Sequence, residues 1–126
     1  MSEREPISQP VPETPKPVDP RVSIDEFKKF RIVTAEIKEV AAHPNADKLY
    51  VLQVDTGSDV RQIVAGIKRS YAPEQLVGKK IALIANLEPA VIRGVESNGM
   101  LLAASDENGP AILTPERDVP PGSPVK

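Results

Sequence analysis

From Ile32 to Val40 apolar and polar positions alternate: Val33, Ala35 and Ile37 fall on one side, Thr34, Glu36 and Lys38 on the other. A period of two over that length predicts a half-buried strand. Just before it, Ser23 followed by Ile24, Asp25 and Glu26 reads as an N-cap with acids in the first turn of a short helix, ending near Phe30. Phe27 and Phe30, three apart, would share a face of that helix and plug one end of the core. His43-Pro44-Asn45-Ala46-Asp47 is a turn by its chemistry, because Pro fixes one angle while Asn and Asp tolerate unusual ones.

A second strand is expected over Leu49 to Asp55, joined through Gly57-Ser58-Asp59 to a third over Val60 to Ala65. Ala72-Pro73-Glu74-Gln75-Leu76 has Pro and Glu where a helix begins, with Gly78 where it would end. Ile81 to Leu87 is a nearly continuous apolar run between Lys79-Lys80 and Pro89, the pattern of a strand covered on both faces. Gly99 to Ala104 predicts another strand, Asp106-Glu107-Asn108-Gly109 a turn, and Ala111 to Leu113 a short last strand. Five or six short strands with a small helix after the third suit an all-β, five-stranded Greek-key barrel of the oligonucleotide-binding (OB) type with short helices. The same spacing fits other small barrels equally well.

Composition changes this picture at the amino terminus. Six of the fourteen prolines lie in the first twenty residues, with few bulky apolar side chains among them. Such a segment buries too little surface to offset its ordering entropy, so residues 1–21 are expected to be a disordered tail or linker and 22–126 the folded domain. No cysteine is present, which leaves no disulfide framework and no thiolate zinc site. Neither a signal-peptide core nor a run of ~20 apolar residues is found. A cytoplasmic location without membrane contact is expected.

The net charge of −2 resides in the first twenty residues, where Glu3, Glu5, Glu13 and Asp19 outweigh Arg4 and Lys16, leaving fourteen acids and fourteen bases in the rest. A neutral domain binds nucleic acid only if its bases gather on one face.

Catalytic chemistry finds little footing. His43 is the single histidine, without a second one to share a metal or activate a serine, and is read as a turn residue. The carboxylates are scattered, and the glycines form neither a Walker loop nor a dinucleotide fingerprint. No metal or other cofactor is expected. Lys48 and Arg93, each taken alone, are solvated surface charges. Asn86 ends an apolar strand, where an amide must be hydrogen-bonded; it either caps its own loop or faces a ligand. With only Phe27, Phe30, Tyr50 and Tyr71 as aromatics, a base-stacking binder of long single strands is disfavoured. Recognition of a folded RNA through shape, phosphate and 2′-hydroxyl contacts stays open.

The strings HPNADKL (43–49), RQIVAGI (61–67), PEQLVGKK (73–80), ANLEP (85–89), IRGVESNGMLLAA (92–104) and LTPERDVPPG (113–122) decide between these readings. In wording and order the segment from Phe27 to Lys126 resembles the tRNA-binding domain found at the carboxyl terminus of many bacterial methionyl-tRNA synthetases and as free-standing tRNA-binding proteins. The resemblance implies an OB barrel that binds the outer corner of tRNA, with Lys48, Asn86, Arg93, Ser97 and Met100 on the binding surface. Lys48 and Arg93 would meet phosphates, Asn86 and Ser97 would bond 2′-hydroxyls or base edges, and Met100 would give an adaptable apolar contact, with a core position as its alternative. Glu88 stands where relatives often carry a base, which weakens local phosphate attraction.

Implied partners are tRNA, a second copy of the chain in a homodimer, and a synthetase, methionyl-tRNA synthetase in particular. The chain is expected to be a non-catalytic module rather than an enzyme. The alternative is a dimeric chaperone or export-related peptide-binding protein of the same fold. CsaA-type chaperones share the barrel but lack the HPNADKL and ESNGM wording.

Overall fold

One long strand organises the barrel. β1 (Ile32–Ala42) buries Val33, Ala35 and Ile37, as the alternation requires, and serves two neighbours. Its C-terminal part pairs antiparallel with β2 (Tyr50–Asp55), from Glu36 opposite Asp55 to Ala42 opposite Tyr50. Its N-terminal part pairs with β4 (Lys80–Ile84), from Ile32 opposite Ile84 to Glu36 opposite Lys80. A register shift between Ile37 and Glu39 marks the bulge where the strand bends from one partner to the other. Such a bulge sharpens the local twist and curls the sheet.

The computed structural model describes residues 19–126; all but the last three residues of the expected tail lie outside the described residues. β3 (Val60–Ala65) follows β2 through a hairpin, and β7 (Met100–Leu101) pairs with β4. The resulting order is β3-β2-β1-β4-β7. Closure comes from the segment before β7, which returns to β3. There the Asn98 N–H donates to the Gln62 carbonyl at 2.8 Å, and the Val64 N–H donates to the Ser97 hydroxyl at 2.9 Å. This is the five-stranded OB architecture expected from the sequence. α1 (Ile24–Phe27) precedes β1, and α2 (Pro73–Leu76) lies between β3 and β4, where it lowers the fully buried Leu76 into the core. Ile37, Leu52, Val54, Ile63, Ile81 and Leu83 complete that interior. Each fully buried aliphatic side chain of this size contributes about 1.5–3 kcal/mol.

Thr34 belongs to the outward set of β1, yet it is 4% exposed. The cover is the carboxyl-terminal segment, residues 120–125, which lies along the flank of β1 that β2 leaves free. The Gly122 N–H donates to the Thr34 carbonyl at 2.7 Å, the Thr34 N–H to the Ser123 carbonyl at 2.9 Å, and the Val125 N–H to the Ile32 carbonyl at 2.8 Å. The Thr34 hydroxyl donates to the Pro120 carbonyl at 2.8 Å and accepts from the Ser123 N–H at 3.0 Å. A Pro-rich end thus acts as a sixth, strap-like edge, satisfying backbone groups that would otherwise be orphaned.

Three expectations change in detail. Phe27 and Phe30 do not plug the core; they are 38% and 50% exposed, with ring centroids 6.5 Å apart. α1 is a single turn with no buried residue, so its rings overhang the strap instead of reaching the interior. They line a groove of about 420 Å³ with Ile24, Val33, Pro124 and Val125. The apolar run 81–87 is in the ladder only to Ile84 and alternates in burial, Ile81 and Leu83 inward, because the chain leaves the sheet where the Ala85 N–H donates to the Arg31 carbonyl. The strand expected over 99–104 divides at Leu102, whose N–H still donates to Ala82 of β4 while its carbonyl already accepts from Leu113. β7 lies before it. After it, β8 (Ala103–Asp106) forms a hairpin with β9 (Gly109–Ile112) around the expected turn.

Candidate nucleic-acid interface

The 43–49 turn and a small hairpin form one unit at the end of the barrel. The hairpin consists of β5 (Ala90–Ile92) and β6 (Val95–Ser97) around the two-residue turn Arg93-Gly94. Both turn residues have positive φ, 54° and 89°, as in the primed turns that match the twist of paired strands. Glycine adopts this conformation freely, whereas an arginine does so at a cost of about 1–2 kcal/mol.

His43 bolts the two loops together. Its ring is buried; Nδ1 accepts from the Asn45 N–H at 2.9 Å, which leaves the proton on Nε2 to donate to the Ile92 carbonyl, also at 2.9 Å. Asn45 and Arg93 then exchange bonds, Asn45 Nδ2 donating to the Arg93 carbonyl at 3.1 Å and Arg93 Nη2 to the Asn45 carbonyl at 3.2 Å. This docking presents Arg93 beside Lys48. Both line a cleft of about 450 Å³, with Asn45, Asp47, Leu49 and Arg69. Among the described residues the ion pairs are Lys38–Glu36, Arg61–Asp59 and Lys80–Asp118. Lys48, Arg69 and Arg93 are in none of them, so their charges are available to an anion. Within the Arg61–Asp59 pair, Asp59 is held below the usual carboxylate range by the Thr56 hydroxyl and then by Arg61.

The other sequence-predicted residues lie outside this cleft. Asn86 accepts from the Arg31 N–H at 2.8 Å through Oδ1 and donates to the Lys29 carbonyl at 2.7 Å through Nδ2. Its amide clamps the 29–31 loop, which explains a polar side chain at the end of an apolar strand. Ser97 is 5% exposed; besides accepting from Val64, its hydroxyl donates to the Gly99 carbonyl at 3.2 Å, so it pins β6 to β3. Met100 is 47% exposed on β7, on the surface and not in the core. Asn45 and Arg69 were not singled out by sequence reasoning. Asn45 sits inside the HPNADKL string and had a signal; Arg69, in the irregular KRSY stretch, had none. Among the described residues no cluster of His, Asp and Glu could hold a metal ion, and no helix is long and apolar enough to cross a membrane.

The family model described as a putative tRNA binding domain matches residues 32–124. The chain belongs to this family. The matched residues include both docked loops, Lys48, Arg69 and Arg93, and end within the strap. The chain is 52% identical over 105 residues to the methionine–tRNA ligase of Thermococcus kodakarensis, covering 83% of the chain but 14% of the ligase. The chain therefore spans about one seventh of the curated relatives it matches. In structure the domain resembles a MetRS-related protein from Pyrococcus horikoshii (TM-score 0.79, 37% identity, 86% of this chain and all of that one). It equally resembles the CsaA chaperone protein of Picrophilus torridus (TM-score 0.79, 28% identity, 84% of this chain and all of that one).

Proposed function

We propose that the domain is a cytoplasmic, non-catalytic tRNA-binding module that takes folded tRNA by shape and backbone contacts and supports aminoacylation by a synthetase, methionyl-tRNA synthetase in particular. The observation that carries this reading is the docking of the 43–49 turn on the β5–β6 hairpin, which gathers on one face of a domain with balanced charge cations that have no ion-pair partner among the described residues. Lys48 and Arg93 contact phosphates, and Met100 offers an apolar contact beyond the cleft. Asn86 and Ser97 hold the surface in shape: one clamps the 29–31 loop, the other fixes β6. An arginine kept at positive φ supports the assignment, since backbone strain tends to collect at functional positions. Residues 1–21 act as a tether, so that a weak contact with tRNA adds avidity to a neighbouring synthetase.

A titration of tRNA at two salt concentrations tests this reading. Binding should weaken with salt along a shallow slope, since only a few phosphates are neutralised. The structural likeness to CsaA gives the competing reading its footing. Salt-insensitive binding of a denatured client, without any tRNA complex, would replace tRNA by unfolded peptide as the ligand.

A homodimer accompanies the proposal. The groove between α1 and the strap exposes Ile24, Phe27, Phe30 and Val125, an apolar set on which a second copy would exclude water. Phe30→Asp buries a charge in that contact. Sedimentation should show a dimer for the unaltered chain and a monomer for the variant; a monomer for both would remove the dimer from the proposal.

A further inference from the structure

The basic cleft does not end at Lys48. A second cleft of about 290 Å³ adjoins it, lined by Gly66, Ser70 and the β8–β9 turn, and Lys48 and Arg69 line both. Lys48 and Arg69 therefore form the shared wall between two connected depressions. The turn that carries it is tied down on every side. Ile67 is buried at its base, and the Ser70 and Tyr71 N–H groups both donate to the Ile67 carbonyl, at 3.0 and 3.1 Å. The Lys68 N–H donates to the Lys48 carbonyl at 3.3 Å, which couples the turn to the HPNADKL loop. Tyr50 Oη donates to the Tyr71 carbonyl at 2.8 Å. On the far side the β8–β9 turn packs so closely that a Cβ on Gly109 would lie 2.8 Å from Ser70 Oγ. On a turn held this firmly the backbone has little entropy left to lose when a ligand meets Arg69, so the ordering cost is confined to the side chain.

One isolated anion needs only one of these cations. Three cations along two connected clefts suit a polyanionic strand that passes from one to the next. Arg69 has no carboxylate partner among the described residues, and a guanidinium matches a phosphate in a bidentate fork. We infer that Arg69 is a further phosphate-contacting residue, and that the RNA backbone runs from Arg93 past Lys48 and Arg69 toward the β8–β9 turn. Asp47 in the first cleft and Glu107 in the second oppose this run. Glu107 lies at its far end, where its carboxylate repels a continuing strand and limits the contact.

This inference rests on the tRNA-binding reading, and one experiment separates the two. A single tRNA is titrated at two salt concentrations against the full chain and its Arg93→Ala, Arg69→Ala, Arg69→Lys, Glu107→Gln and Lys79→Ala variants. Lys79 lines a separate cleft beside Arg117 and serves as the charge-matched control. Losing one phosphate contact lowers affinity roughly five- to eightfold at 0.1–0.15 M salt and reduces the salt slope by about 0.9. Arg69→Ala should show both effects, Arg69→Lys should recover most of the slope, and Glu107→Gln should tighten binding. Lys79→Ala should match the unaltered chain. Absence of any tRNA complex with the unaltered chain would sink the parent reading. Binding that weakens with Arg93→Ala but not with Arg69→Ala would overturn the inference alone, as would an equal loss with Lys79→Ala.

Discussion

Lys48→Ala combined with Arg93→Ala will lower tRNA affinity roughly 30- to 60-fold at 0.1–0.15 M salt and flatten the salt slope by about 1.8. The figure assumes two phosphates, each neutralised by one side chain, so the two losses multiply. In free energy this is about 2–2.5 kcal/mol. Geometry supports separate phosphates: Lys48 closes the 43–49 turn, whereas Arg93 sits at the tip of the opposing hairpin, with one Nη committed to the Asn45 carbonyl. If both served a single phosphate, the double variant would lose little more than either single one. Folding is not at stake, because both side chains are exposed and neither is in an ion pair among the described residues. A titration paired with a thermal melt checks this. An affinity and slope equal to those of the unaltered chain, with an unchanged Tm, would place the RNA elsewhere on the barrel.

The parts of this site were unequally legible in the sequence. Period-two alternation located β1, since a strand with one face inward must write that face into every second residue, and the Gly57-Ser58-Asp59 connection separated β2 from β3. Pro73 and Gly78 likewise marked the ends of the region around α2. The β5–β6 hairpin was not read from the sequence. An arginine at positive φ beside Gly94 contradicts local preference, so the pairing of Ala90 with Ser97 did not follow. The role of Asn86 was left open between loop cap and ligand contact, because its partners, Lys29 and Arg31, are 57 and 55 residues away.

Arg69 joined the cleft for a similar reason. Its position depends on the Lys68 N–H reaching Lys48, a tertiary bond with no counterpart in periodicity. The strap is the clearest case. A Pro-rich end reads as a loop, and as far as side chains go it is one. Its place on β1 is set by backbone donors and acceptors, together with the hydroxyl of Thr34, and backbone groups are nearly the same in every sequence.

Gly122→Ala, on the half-buried strap outside the core, should cost about 3 kcal/mol or more. Gly122 has φ +87°, and a Cβ there would lie 2.7 Å from the Thr56 carbonyl oxygen. Gly57, at φ +90°, is its mirror: a Cβ on Gly57 would lie 2.7 Å from the Pro121 carbonyl oxygen. The strap and the β2–β3 turn therefore touch backbone to backbone. Alanine at Gly122 carries about 1–2 kcal/mol of conformational strain in the left-handed region. The clash adds more, because the obstacle is a main-chain oxygen and the strap must move. Movement breaks the Gly122–Thr34 bond and strands the buried Thr34 hydroxyl, at about 1–3 kcal/mol for each buried polar group left unpaired. For a domain of this size, 3 kcal/mol corresponds to a fall in Tm of roughly 12–24 °C, readable in a thermal melt by circular dichroism. A shift below about 4 °C would mean that the sheet closes without the strap. Combining the change with Gly57→Ala should cost less than the two single changes added, since a displaced strap no longer offers the second Cβ anything to strike. Strict additivity would show that the two glycines are needed only for their own backbone angles, and not for the contact between them.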